Sequence, residues 1–211
     1  MGLMKSLRGV FARRMPLSAR NLGEHVRDVS FRVMDDADIP LCLSLYRANE
    51  ATHFPKGFFH DYEARLRGRQ LLNLIAMRGG EPVGCGGLVY DANGNAWFCF
   101  GMVAPAHQRT GIGTALMLAR LALLTPVDGW CAIAITAVPN SVSFYRRFGF
   151  TFLPATTDGN GTLHSIAFLD VPAAEVEACR TFLAARRIVV PNAQDAIPRI
   201  PAPDAPSGLM A

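Results

Sequence analysis

The sequence predicts a mixed α/β (α+β) fold: a mostly antiparallel central sheet of about seven strands flanked by helices. Three observations carry this. Apolar, β-rich runs at residues 71–77, 83–90 and 96–103 are separated by the turn sequences Arg78-Gly-Gly-Glu-Pro82 and Asp91-Ala-Asn-Gly-Asn95, which join them as hairpins. Strand-helix-strand patterns follow over residues 96–169. Finally, 50% of the 211 residues are hydrophobic and 18% charged, which excludes a disordered, collagen-like or coiled-coil chain.

Taken in order, Val29 to Met34 alternates like a half-buried strand. Asp35, Asp36 and Asp38 supply acidic caps for a helix over Ile39 to Tyr46, with Pro40 in its first turn. Residues 49–60 read as an aromatic-rich connection, and Asp61 to Arg69 as a shorter helix. The hairpin strands come next, as Leu71 to Met77, Val83 to Tyr90 and Ala96 to Val103. Pro105 to Thr110 form a loop, and Gly111 to Leu124 a long apolar helix stopped by Thr125 and Pro126. Cys131 to Val138 is a buried strand, after which Pro139, Asn140 and Ser141 open a helix that ends at Gly149. Phe150 to Leu153 and Leu163 to Leu169 are strands on either side of the turn at Asp158 to Gly161. The last helix, Ala173 to Ile188, carries Glu175 and Glu177 near its start and Arg186 and Arg187 at its end, complementing the helix dipole.

This divides the chain into a basic arm (1–28), a folded body (29–170), a C-terminal helix (171–190) and a Pro-rich tail (191–211). The net charge is +4, but residues 1–30 hold six basic and two acidic side chains, so the rest is neutral. A nucleic-acid-binding domain carries its basic excess on the folded body, so no nucleic-acid partner is expected. The arm fits a short amphipathic helix with Leu3, Leu7, Val10 and Phe11 on one side, although a solvated extension is the plainer reading. Met1-Gly2 and Ser6 also match the short N-myristoylation pattern. Pro191, Pro198, Pro201, Pro203 and Pro206 make the tail extended and suggest a trailing segment. Five scattered cysteines, none in a Cys-x-x-Cys pair, fit a reducing, cytoplasmic home without zinc or disulfides. No apolar run approaches the roughly eighteen residues of a membrane span.

The most informative stretch is Gln108-Arg109-Thr110-Gly111-Ile112-Gly113-Thr114, between a strand and a helix. Glycines there let backbone approach an anion, and the helix N-terminus aims free N–H groups at it. A phosphate or pyrophosphate is the natural guest. No Lys-Ser/Thr follows, which excludes a P-loop, and Leu116 stands where the dinucleotide fingerprint has its third glycine. Further on, Phe144-Tyr145-Arg146-Arg147-Phe148-Gly149-Phe150 follows a strand.

These two motifs, in this order, resemble the GNAT superfamily of acyl-CoA-dependent N-acyltransferases over roughly residues 29–170. The resemblance rests on Gln108, Gly111, Gly113, Tyr145, Gly149 and Phe150. It implies that the pyrophosphate of acetyl-CoA, the cosubstrate, sits on the backbone N–H groups of Arg109, Thr110, Gly111, Ile112, Gly113 and Thr114. It also implies that the pantetheine arm runs between two splayed parallel strands, pairing with Gly101, Met102 and Val103, where a backbone N–H holds the thioester carbonyl. The amine then attacks directly, without an acyl-enzyme or a metal. Tyr145 stands where the family often has a tyrosine, and its phenol suits protonation of the departing thiolate. Many relatives carry a CoA-contacting asparagine two residues before Asn140, where Val138 stands; Asn140 is a cofactor contact or a helix cap.

The base is not singled out. Relatives often place a glutamate on the fourth strand, but Ala96 to Val103 holds no carboxylate. Glu50, His53, His60, His107 or a water chain remain, while Cys99 reads as core. The expected activity is acetyl transfer from acetyl-CoA to a primary amine of a small molecule or peptide. The rival is a non-catalytic acyl-CoA-binding sensor or docking module. Aromatic residues in the 53–62 stretch shape an acceptor pocket or pack as a flap. A homodimer stays open.

Overall fold

The computed structural model describes residues 26–54 and 57–200. The N-myristoylation pattern, the amphipathic face of the arm and the last part of the tail lie outside the described residues. The helices and strands are β1 (Ser30–Val33), α1 (Ile39–His53), α2 (Phe59–Arg67), β2 (Leu72–Arg78), β3 (Glu81–Tyr90), β4 (Ala96–Val103), α3 (Ile112–Ala122), β5 (Trp130–Ala137), α4 (Pro139–Arg146), β6 (Thr151–Phe152), β7 (Thr156–Thr157), β8 (Leu163–Pro172) and α5 (Ala173–Ala185).

Local chemistry sets the element starts. Asp35 accepts the Ala37 N–H at 2.8 Å, and the Asp38 carboxylate accepts the Asp35 N–H at 2.9 Å, a reciprocal cap around one 3-10 turn ahead of α1. Asp38 also takes a guanidinium bond from Arg32 on β1 at 2.6 Å. The helix then runs well past Tyr46, because nothing between Arg47 and His53 breaks it; half of the expected aromatic connection is helix. At the β3–β4 turn, the Asp91 carboxylate accepts the N–H groups of Asn93 and Asn95 at 2.8 and 2.9 Å.

The sheet has eight strands among the described residues, in the order β1-β2-β3-β4-β5-β8-β6, with β7 pairing β8. All pairings are antiparallel except β4 with β5. The sequence reading did not contain β7, since two residues are too short for an alternating pattern. α3 and α5 pack with α4 on one face of the sheet, while α1 and α2 pack on the other. Every residue of α3 except Gly113 is buried, which is why its sequence is apolar all round.

Two irregularities open the middle of the sheet. β4 and β5 pair only at Ala96–Ile133 and Trp97–Ala134 and then separate. Just beyond, β4 bulges: Cys85 opposes Met102 and Gly87 opposes Cys99, so Phe100 and Gly101 together face Gly86. Phe100 has φ +49°, a conformation that a bulky residue adopts only under strain.

After α5 the chain does not trail away, which corrects the sequence reading for residues 191–200. Ile188, Ala193 and Ile197 are buried in the core. The Phe31 N–H donates to Val189 O at 2.9 Å, on the outer edge of β1. Tyr90 donates to Pro198 O at 2.9 Å, and Ile200 donates back to Tyr90 O at 2.9 Å.

Candidate active site

Where β4 and β5 part, a cavity of about 50 Å³ opens. Phe98, Phe100 and Gly101 of β4 line one side, Thr136 of β5 the other, and His53 of α1 and Tyr145 of α4 close it. The Tyr145 ring lies edge-on to Phe144 at 5.1 Å and to Phe150 at 5.5 Å, so packing fixes its direction. Burial raises the pKa of its phenol, and the Arg120 guanidinium pulls it back; burial wins. The Thr136 Oγ1 is buried with no hydrogen-bond partner among the described residues, a polar atom at the cavity wall that a ligand can satisfy.

Of the four side chains left open as base, His53 alone lines the cavity. Burial holds its imidazole below the ordinary histidine pKa. Its Nδ1 lies 2.6 Å from Thr52 Oγ1. Glu50 is tied to Arg47 at 2.9 Å, His60 is exposed against Phe59, and His107 stands on a 3-10 turn after β4. Cys99 is buried and its thiol is pushed up to about 11, consistent with a core residue.

In the glycine loop the groups left open are mostly backbone. Gly111 is the N-cap of α3 with φ +90°, and no side chain caps that end, so the N–H groups of Ile112, Gly113 and Thr114 are free of intrahelical acceptors. Arg109 has φ +63°. The side chains of Ile112, Thr114 and Met102 are buried. Thr110 donates to His107 O at 2.7 Å and accepts from Arg78 at 3.2 Å. A Cβ at Gly113 would meet nothing closer than 3.6 Å, so neither φ nor packing requires glycine there.

Other expected contacts are already engaged within the protein. Gln108 Nε2 donates to Asn49 Oδ1 at 2.9 Å and to Val103 O at 3.2 Å, stapling the loop to α1 and β4. Asn49 Nδ2 donates to the same Val103 carbonyl at 3.2 Å. Asn140 does not cap α4; Val138 is the N-cap, and Asn140 Nδ2 donates to Thr52 O at 3.0 Å, joining α4 to α1. Gly101 is the exposed backbone of the bulge.

The model of the acetyltransferase (GNAT) domain matches residues 42–165, more than half of the chain. The chain belongs to the GNAT acetyltransferase family. As a GNAT-type N-acetyltransferase it shares its fold with solved structures of low identity. An aminoglycoside N(6')-acetyltransferase from Legionella pneumophila is 12% identical, with a TM-score of 0.55, 74% of this chain and 96% of that chain being covered. A candidate acetyltransferase of the GNAT family from Desulfovibrio desulfuricans is 19% identical, with a TM-score of 0.53 and coverage of 67% and 98%. Against a candidate acetyltransferase from Pyrococcus horikoshii the identity is 23% and the TM-score 0.49, with 61% of this chain and 45% of that chain covered. No curated protein matches the sequence.

Among the described residues no helix is long and apolar enough to cross a membrane, and no group of three or more His, Cys, Asp or Glu is placed to hold a metal ion. Sequence reasoning did not single out His53 and missed Arg120. Its helix looks uniformly apolar, but the glycines inside β3 and β4, Gly86 and Gly101, signal close approach of another group.

Proposed function

We propose that this GNAT acetyltransferase moves the acetyl group of acetyl-CoA directly to a primary amine of a small molecule or peptide, with Tyr145 as acid and His53 as base. One observation carries the reading: both side chains line one cavity, where β4 and β5 separate. The residues present fit acetyl-CoA. The uncapped start of α3 would hold its pyrophosphate, Gly113 leaves room for close approach, and the Gly101 backbone and the orphaned Thr136 Oγ1 offer polar partners near the thioester. Bound there, acetyl-CoA supplies an acyl group already activated as a thioester.

His53 takes the proton from the amine. The role uses the tautomer in which Nδ1–H donates to Thr52 Oγ1, 2.6 Å away, which leaves Nε2 as the basic nitrogen. Tyr145 gives its phenolic proton to the sulfur as the carbon–sulfur bond breaks. Tyr46, Tyr62, Phe54 and Phe100 stack together, with Tyr46–Phe54 centroids 4.7 Å apart and Tyr62–Phe100 4.3 Å apart, so the aromatic stretch packs as a wall rather than standing free. Among the described residues no carboxylate lines the cavity, which favours a small, apolar or flat amine over a polycation.

The test is thiol release from acetyl-CoA across a panel of primary amines. Tyr145→Phe should lower kcat by about 10²–10⁴ and leave acetyl-CoA affinity, measured by calorimetry, unchanged. A folded variant that turns over at the parent rate refutes the acid role.

A further inference from the structure

Arg120 is a cation buried where no apolar helix needs one. It is 2% exposed, on the side of α3 that faces the bulge of β4. The strands make room for it with glycines. A Cβ at Gly101 would stand 3.1 Å from its Nη2, and one at Gly86 would stand 3.4 Å from its Cζ. Its guanidinium lies 4.7 Å over the Phe98 ring. Its protein acceptors are poor: Leu116 O and Gly87 O, each at 3.4 Å. Among the described residues no carboxylate pairs with it, and the ionisable groups that face it are Tyr145, Cys99 and Cys85. An uncompensated buried guanidinium is costly, and hydrophobic replacements at such sites are often neutral or stabilising. Arg120 therefore has a use that packing does not explain.

We propose that Arg120 is the charge-balancing cation of the acetyl-transfer step: from beneath the β4 bulge it stabilises the phenolate that forms when Tyr145 gives up its proton. Arg120 lies behind two walls of the cavity, over the Phe98 ring and where a Cβ at Gly101 would stand, and its charge acts on the Tyr145 phenol that lines the same cavity. A guanidinium stays cationic throughout the working pH range, so it can oppose the negative charge of a phenolate without itself exchanging a proton. The step balances. The amine nitrogen forms a bond to the acyl carbon and its proton passes to His53. The carbon–sulfur bond breaks, its electron pair goes to sulfur, and sulfur takes the Tyr145 proton. The phenolate is held by Arg120 until solvent carries the proton from His53 back. This rests on the acid role assigned above, but its central test needs no acceptor amine.

That test is an alkaline titration of the full chain followed by tyrosinate absorbance, with Tyr145→Phe identifying the contribution of Tyr145. Besides Arg120, the groups facing Tyr145 are Cys99 from β4 and His53 across the cavity; neither is cationic in the alkaline range. Arg120→Met should move the Tyr145 titration upward by about one pH unit or more, or beyond alkaline unfolding, and Arg120→Lys should restore part of it. Gly101→Ala, whose Cβ would stand 3.1 Å from Nη2, presses on the guanidinium without removing it and should give a smaller shift in the same direction. An identical Tyr145 titration in parent and folded Arg120→Met overturns the proposal. So does a parent in which Tyr145 never titrates before unfolding.

In turnover, Arg120→Met should lower kcat with little change in the KM for acetyl-CoA and add no further loss to Tyr145→Phe. Losses that multiply in the double variant mean that Arg120 does not act through Tyr145. If Tyr145→Phe alone loses nothing, the acid role fails, whatever Arg120 does to the phenol.

Discussion

A neutral imidazole is the form of His53 that can take a proton from an amine, and its burial at the cavity favours that form. The sign follows directly. With its pKa below the ordinary 6.5, His53 stays neutral as the pH falls through that value and becomes cationic only further down. The acid limb of kcat/KM should therefore lie below pH 6.5, and His53→Gln should remove that limb and lower kcat by about 10²-fold or more. A pH–rate profile of the variant that keeps the parental limb would show that another group takes the proton. At this scale Tyr145 could be picked out for a proposed role because it sits at a fixed distance from the Gly149-Phe150 pair, and it does line the cavity. His53 was not, because nothing in the chain between Asn49 and His60 says which side chain turns toward a seam formed by β4 and β5, far away in sequence.

Among the elements, α3 joins a rigid start to an open one. Gly111 needs its left-handed conformation to begin the helix, whereas Gly113 sits in ordinary helical geometry with its nearest would-be neighbour, Phe144, at 3.6 Å. The two glycines of the motif thus separate into a folding requirement and a space requirement. Gly113→Ala should stabilise the protein by up to about 1 kcal/mol in urea unfolding, since alanine is the better helix former. If the pyrophosphate binds as proposed, the same methyl stands where backbone approaches it and should weaken acetyl-CoA binding by about tenfold or more by calorimetry. Unchanged affinity in a stabilised variant would place the pyrophosphate elsewhere. Most strands and helices were readable because their periodicity is local. The end of α1 and the two residues of β7 were not: Arg47 to His53 holds no helix breaker but also no apolar repeat to announce the helix, and β7 exists only through β8.

On the scale of the whole molecule, a segment that looks like a tail docks on the sheet. The sequence announces extended backbone through Pro191 and Pro198, and it is extended, but Ile188, Ala193 and Ile197 are too irregularly spaced to show a buried face. Docking supplies what periodicity does not. Val189 O takes the outward N–H of Phe31 on β1, and Pro198 and Ile200 exchange backbone bonds with Tyr90 at the end of β3. Arg199 lies 5.1 Å from the centroid of the Tyr90 ring, holding the same end. Burial of an isoleucine side chain contributes about 1.5–3 kcal/mol, so ending the chain after Arg187 should cost several kcal/mol through Ile188 and Ile197 alone. It would also leave the N–H edge of β1 unpaired, an invitation to edge-to-edge association. The truncated protein should unfold at markedly lower urea and elute as larger species in size-exclusion chromatography. If it remains monomeric with the parental urea midpoint, the segment lies on the sheet without holding it, and the edge of β1 needs no cover.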